Sequence, residues 1–315
     1  MKGVYKLRRQ SGIALILVLW IITLLSLIAL SFIATMRSEI NIVANTMNRA
    51  RAEAAADAGI QRALFELSKP PTALARWMPD GISRNWAYND TAVNIMMNDE
   101  AAKIDINTAN PELLRGLFLS QGQTADEAAA LVDAIGDWKD ADTLRRLNGA
   151  EEPEYLAAGL TYKPSNAPFR SIEEVNRVLG MTPALYARIA PLLTVFSRQA
   201  GIFAQTAPRD ALRAIPGVTD EQVELYLQQR ELARAGNTTL PIFTPGTAYL
   251  STGNANIVHL RAAARLPDGT TFVRDAVVRP IGTSQRPFAI LLWKEGRESP
   301  YASDLVVAAS NGQVR

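Results

Sequence analysis

The chain contains no cysteine and a single histidine, His259. The first absence excludes disulfide staples, thiolate zinc sites, cysteine nucleophiles and CxxC redox chemistry. The second excludes multi-histidine metal centres; flanked by Val258 and Leu260 in a strand-like pattern, His259 reads as structural, and no histidine accompanies the plentiful Ser and Asp residues in a catalytic constellation. Acidic residues are missing from the N-terminus, where Lys2, Lys6, Arg8 and Arg9 precede Ser11-Gly12, and no charge of either sign occurs from Ile13 to Met36. Proline is missing from residues 37–69, and Gly59 is the one glycine there. A Gly-rich phosphate loop is also lacking. With no constellation suited to catalysis, the expectation is a protein that is not an enzyme.

What is present begins with the apolar run of residues 13–36. A bilayer core about 30 Å thick needs roughly 20 apolar residues in a helix. This run meets that length, and its few hydroxyls (Thr23, Ser26, Ser31, Thr35) can bond within a helix. The positive flank assigns residues 1–12 to the cytoplasmic side and everything after Met36 to the far side of the membrane. Three readings fit such a segment: a cleaved secretory signal, a plain signal anchor, and a leader trimmed on the charged side. The run exceeds the usual 7–15 residues of a signal peptide, and no small-x-small site follows it. The third reading resembles the prepilin class, with a basic leader ending at Gly12 and Ile13 as the first mature residue. Loss of the four leader charges takes the formal net charge from +2 to −2, which leaves no global basic field for nucleic acid.

Helix formers continue past the membrane segment in RARAEAAADAGIQRALFELS, with an apolar face read through Ile40, Val43, Ala44, Met47, Ala54, Ala58, Leu64, Phe65 and Leu67. Pro70-Pro71 ends the pattern. One helix from about 13 to 68 would be roughly 80 Å long, a rarity in globular domains. Its stripe of Ile40, Val43, Met47 and Ala54 is the expected docking face for partner helices. Val93, Ile95 and Met97 alternate as a strand, and Ile104–Ile106 alternate again, so a hairpin through 98–102 is expected. A helix-rich block follows over about 108–231. IDINTANPELLRGLF (104–118) and IFAQTAPRDALRAIP (202–216) form a degenerate repeat, and SIEEVNRVLGMTPALYARIAPLL (171–193) makes a further helical unit with a capping box at Ser171 and Glu174. After Asn237 the pattern turns to β: residues 256–266 and 270–281 flank the Pro267-Asp268-Gly269 turn, residues 288–293 suggest another strand, and the tail beyond Gly296 is polar. A sheet split around an inserted helical domain explains this order.

Two motifs carry competing readings. Asn107-Thr108-Ala109 and Pro216-Gly217-Val218 invite a helix–hairpin–helix contact to DNA phosphates, but the matching helix starts carry Asp126-Glu127 and Asp220-Glu221. A structural hairpin is the expectation, with a membrane-anchored DNA-binding protein of the competence type as the alternative function. The stretch DWKDAD…NGAEEPEY (137–155) offers carboxylates that suit a hard, oxygen-ligated cation such as Ca²⁺, although it is not an EF-hand. Arg145 and Arg146 offer the other reading, a salt-bridged surface loop. A hydrolase using these carboxylates is a third, weaker reading.

Together the leader at Gly12, the apolar helix, KIDINTA (103–109), DWKDAD…NGAEEPEY (137–155) and FRSIEEVNRVLGM (169–181) resemble the type II secretion minor pseudopilins of the general secretion pathway protein K family. The resemblance covers the chain to about Arg230. It implies an α+β, type IV pilin-like fold, a long N-terminal helix on an antiparallel sheet, with a large helical domain inserted in the sheet. The corresponding division is a leader (1–12), a transmembrane half-helix (13–36), periplasmic helix and first strands (37–106), inserted α-domain (107–235) and C-terminal β part (236–315). It further implies cleavage and N-methylation by prepilin peptidase, residence in the inner membrane, and partnership with the I and J, and also H, minor pseudopilins and with the major pseudopilin. Calcium in the α-domain is implied too, with Asp140, Asp142 and Glu151 as ligands. One departure from ordinary pilins is Leu17: mature position five is usually a Glu, whose carboxylate is costly in lipid unless paired and can take the N-terminal amine of the adjoining subunit. A subunit without it fits the pseudopilus tip.

Overall fold

The computed structural model describes residues 11–70, 72–73, 75–253, 255–282 and 287–296. The first element, α1 (Ser11–Ser68), is 58 residues long, the unbroken helix that the lack of proline and the run of helix formers demand. Gly12 and Ile13 fall in its first turn; their side chains, the leader residues 1–10 and the tail after Gly296 lie outside the described residues. The helix is long and apolar enough to cross a membrane by length and composition. Several of its hydroxyls bond within it, Thr23 Oγ1 donating to Trp20 O at 2.8 Å, Ser26 Oγ to Ile22 O at 2.8 Å and Thr35 Oγ1 to Ser31 O at 3.0 Å.

The C-terminal half of α1 lies on one face of a five-stranded antiparallel sheet. Its strands are β1 (Asp80–Tyr88), β2 (Thr91–Asp99), β5 (Val258–Arg265), β6 (Thr271–Pro280) and β7 (Phe288–Glu295), in the order β1-β2-β5-β6-β7. The strands β2 and β5 are neighbours in space, so everything between them is an insertion into the sheet. The sheet core joins Val93, Ile95, Met97, Leu260, Ala262, Phe272, Ala276 and Val278 to Ala52, Ala55, Ala56, Ile60 and Ala63 of α1. The buried face of the helix is therefore alanine-rich, and it differs from the face read from the larger apolar residues: Ala54 and Phe65 point to solvent. Small residues win this face because the helix sits close to the sheet. A Cβ on Gly59 would stand 2.8 Å from Val93 Cγ1 and 2.9 Å from the Ala262 Cβ.

The inserted unit holds β3 (Ile104–Asp105), α2 (Pro111–Ser120), α3 (Ala125–Lys139), α4 (Glu152–Ala157), α5 (Pro183–Ile189), β4 (Leu193–Thr194), α6 (Arg209–Arg213) and α7 (Asp220–Ala235). The repeat is real: α2–α3 and α6–α7 are both helical hairpins, and Thr124 and Thr219 each open the second helix with a capping box. The two hairpins touch where Gly116 meets Ala214, whose carbonyl oxygen would be 2.0 Å from a Cβ at 116.

Three expectations are corrected. The hairpin through 98–102 does not form; β2 turns back on β1 through Asn89-Asp90, while Ile104–Asp105 pairs in parallel with Leu193–Thr194. Alternation marks a strand but does not name its partner. No capping box forms at Ser171; the Glu174 carboxylate accepts instead from the Arg170 backbone N–H at 3.2 Å, ahead of a short 3₁₀ turn. Residues 236–257, assigned from sequence to the C-terminal β part, pack on the helical unit through Phe243, Tyr249 and Leu250.

Candidate functional site

The motifs singled out in the sequence meet in the inserted unit, mostly as clamps. The carboxylate of Asp105 accepts from the backbone N–H groups of Asn107 at 2.9 Å and Arg198 at 2.7 Å. Asn107 bonds Phe169 in both directions, Nδ2 to O at 3.0 Å and Oδ1 from N–H at 2.8 Å. The ammonium of Lys139, at the end of α3, donates to Ile106 O and Asn107 O at 3.0 and 2.9 Å; burial pushes its pKa down. KIDINTA, DWKDAD and FRS are thus one joint. Sequence reading missed these roles, for which the signal was a charged residue embedded in each apolar stretch.

The acidic loop runs from the end of α3 to the start of α4. Asp137 is fully buried; its carboxylate accepts from Arg146 N–H at 3.2 Å and from the Arg146 guanidinium at 2.8 Å, and the same guanidinium pairs with Asp140. Burial pushes the Asp137 pKa up, with Arg146 opposing the shift. Glu151 is 4% exposed, and its pKa is raised by burial first and then by Asp137, Asp140, Asp142 and Glu154. Asp142 sits at the rim, where its Oδ1 accepts from Leu144 N–H at 2.8 Å. Arg145 pairs with Glu154 at 3.2 Å. Beneath the loop, Trp138 stacks on Phe169 with centroids 5.9 Å apart, and the Tyr155 hydroxyl accepts from Leu179 N–H at 2.9 Å.

Both readings of this loop find their residues here. The salt bridges of Arg146 and Arg145 are formed. Yet Asp140 Oδ1 and Glu151 Oε1 are buried with no hydrogen-bond partner, an expensive condition for carboxylate oxygens. Unpaired carboxylate oxygens are the donors an oxygen-seeking cation takes, whereas Asp142 lies at the rim with its carboxylate bonded to Leu144 N–H. Among the described residues no three acidic or histidine side chains are grouped closely enough to form a complete metal site.

The other predicted surface is on α1. Ile40, Val43 and Met47 are 65, 63 and 54% exposed, and Leu17 is 57% exposed. At 100° per residue, the stripe of Ile40, Val43, Met47 and Ala54 lies about 170° around the helix from the alanine face that meets the sheet. The fold leaves it free. On the hairpins, Asp126, Glu127, Asp220 and Glu221 all face solvent, and Arg213 is occupied by Asp220 at 2.7 and 3.0 Å. Those helix starts present carboxylates where a phosphate contact would need cations.

The family model for type II secretion system protein K matches residues 91–198, which take in β2, β3, the first helical hairpin and the acidic loop. A type II secretion system protein K of Pseudomonas aeruginosa is 25% identical over 271 residues, covering 79% of this chain and 80% of that protein. The chain is similar to the type II secretion system protein K family. Its K-family relative from Klebsiella pneumoniae is 27% identical over 203 residues, 58% of this chain, and the aligned part spans 62% of that protein's length. A solved structure, the GspK–GspI–GspJ complex from the enterotoxigenic Escherichia coli type 2 secretion system, matches with a TM-score of 0.56 at 19% identity, covering 84% of this chain and 99% of the matched one. The fold is therefore the pilin-like one expected, a long helix on an antiparallel sheet with a helical domain inserted in it.

Proposed function

We propose that this chain is a minor pseudopilin of a type II protein secretion system, placed at the pseudopilus tip, where it nucleates or limits assembly during export of folded proteins. The observation that carries the reading is α1. Its C-terminal half is fastened to the sheet by an alanine face, while the opposite face of Ile40, Val43 and Met47 stays apolar and open. Exposed apolar surface of this extent marks an interaction site. The membrane half offers Leu17 where a carboxylate would bind the next subunit's amine, so growth beyond this subunit is not supported, and the bulky insert adds a steric stop. The precursor spans the inner membrane once with its C-terminal domain in the periplasm, and prepilin peptidase cuts between Gly12 and Ile13 and methylates Ile13. By likeness to the GspK–GspI–GspJ assembly, the partners are the I and J minor pseudopilins; H and the major pseudopilin follow from the family resemblance alone.

Calcium belongs to the same reading. Asp140 and Glu151 would hold the ion, whose charge would satisfy the two orphaned oxygens, while Asp142 at the rim is a ligand only by the family resemblance; the role is structural. The acidic hairpin starts favour protein assembly over the competence-type alternative. The test is co-purification of the full-length protein with the I and J pseudopilins of its own secretion system, from membranes. Capture of both supports the proposal, and tight low-salt DNA binding without pseudopilin capture overturns it.

A further inference from the structure

The chain crosses between sheet and insert twice, leaving β2 through residues 99–103 and returning to β5 through 255–258. The crossings are bonded to each other: Glu100 N–H donates to Ile257 O at 3.0 Å, and Ala255 N–H to Asp99 Oδ1 at 3.3 Å. The single histidine stands at this joint. His259 is second in β5, on the sheet face turned away from α1, opposite Asn98 of β2 and Val277 of β6. Its side chain is 18% exposed. Lys103 Nζ lies 3.4 Å from its Nδ1, and its Nε2 lies 3.3 Å from Asp275 Oδ1. An ammonium can only donate, so Nδ1 is the accepting nitrogen and the imidazole proton sits on Nε2, toward the carboxylate.

Lys103 also holds Glu100 at 2.6 Å, and the second oxygen of Glu100 takes the hydroxyl proton of Thr194, on β4 of the insert. Contacts thus run Asp275–His259–Lys103–Glu100–Thr194, from the sheet into the insert. The remaining charges around them are Arg261, 3.5 Å from Asp275 Oδ2, and Lys294, opposite Asp275 on β7, which reaches Glu173 of the insert at 2.5 Å.

We propose that His259 is a proton-sensitive latch between the sheet and the inserted domain: the neutral ring accepts from Lys103 and keeps the insert seated, and a proton on Nδ1 turns acceptor into donor and releases Lys103. Asp275 favours that proton, whereas burial and Lys103 oppose it and hold the His259 pKa below its ordinary 6.5. The unfastened joint takes the proton more readily than the fastened one, so the fastened form loses stability as pH falls below the ordinary 6.5 and the latch is weakened on the acid side. The consequence is an insert whose orientation on the sheet responds to the acidity of its compartment while each part keeps its own core.

The absence of cysteine makes the test direct. Cysteines placed at exposed Arg265 on β5 and Gln228 on α7 carry spin labels on the full-length protein in detergent, and their separation is measured at pH 8 and pH 5. The expected result is one narrow distance at pH 8 that broadens at pH 5, and a distance that stays narrow at both values in His259→Gln, whose amide keeps a donor and an acceptor but takes no proton. The lone histidine also gives one NMR signal, whose midpoint lies below 6.5 and rises in Lys103→Met. Equal distances at both pH values in the unsubstituted protein, or the same broadening in His259→Gln, overturns the proposal. So does a histidine midpoint unmoved by Lys103→Met, even if His259→Gln fails to fold.

Discussion

Replacing Gly59 by Ala should destabilise the pilin-like half although alanine is the better helix former. In a helix interior the substitution gains about 1 kcal/mol of intrinsic propensity. Against that, the new methyl would stand 2.8 Å from Val93 Cγ1 and 2.9 Å from Ala262 Cβ. Carbon atoms pack at about 3.5–4.0 Å, so helix and sheet must part by roughly 0.6 Å or more, and overpacking of this kind costs about 1–3 kcal/mol. The net is a loss of about 0–2 kcal/mol, too close to zero to decide alone, so the test is a double-mutant cycle with Val93→Ala. That change removes the nearer obstruction and by itself costs about 1.5–2.5 kcal/mol in buried methyl surface. The contact predicts that the double variant is more stable than the sum of the single losses by about 1 kcal/mol, within the range seen for touching residues. Urea unfolding of the full-length protein in detergent, followed by the fluorescence of Trp77 and Trp86, which pack against this core, supplies the three free energies. Additivity within about 0.3 kcal/mol would refute the close seating of α1 on β2.

Further outcomes are expected in the insert and on the helix. Tyr155→Phe leaves Leu179 N–H without its 2.9 Å acceptor and should cost about 1–3 kcal/mol, read by thermal melting; the same burial pushes the Tyr155 pKa up to about 12, so no phenolate absorbance from it should appear at pH 10. Glu151 has a raised folded pKa, so its contribution favours the fold at acid pH and is lost as pH rises through the ordinary value of 4.5 and then the folded one. Glu151→Gln should therefore raise the melting temperature in chelator at pH 7 and abolish any gain on adding calcium; a calcium gain kept intact in this variant removes Glu151 from the ion's shell. Val43→Glu, on a face that touches nothing within the chain, should leave the melting temperature unchanged while reducing capture of the I and J pseudopilins several-fold, and undiminished capture would count against this stripe as the docking face.

The long helix was legible because composition alone dictates it: residues 13–36 carry no charge, residues 37–69 carry no proline, and α1 has the predicted extent. The split sheet was legible from element order, and the repeat from its shared Thr-Ala and leucines. What stayed hidden depends on partners distant in sequence. The β1 strand, DGISRNWAY, has no clean alternation because it is an edge strand with an irregularity between Asp80 and Ser83. Ile104 looked like a hairpin partner of β2, but its mate Leu193 is 89 residues further along. The seating face of α1 was overlooked because a close helix–sheet approach selects Ala and Gly, which hydrophobic patterning weights least. At the acidic loop the residue types announced a charged site, but only the fold shows that Asp137 is consumed by Arg146 whereas oxygens of Asp140 and Glu151 are left unpaired. The joint around His259 needs four separate segments and no motif records it.

The central claim, that the exposed helix belongs to a processed pseudopilin subunit, is tested most directly by mass spectrometry of the N-terminus of the protein isolated from its own cells. The account predicts a chain beginning at Ile13 and carrying one N-methyl group. A chain that retains Met1, or one cut beyond Met36, would contradict it.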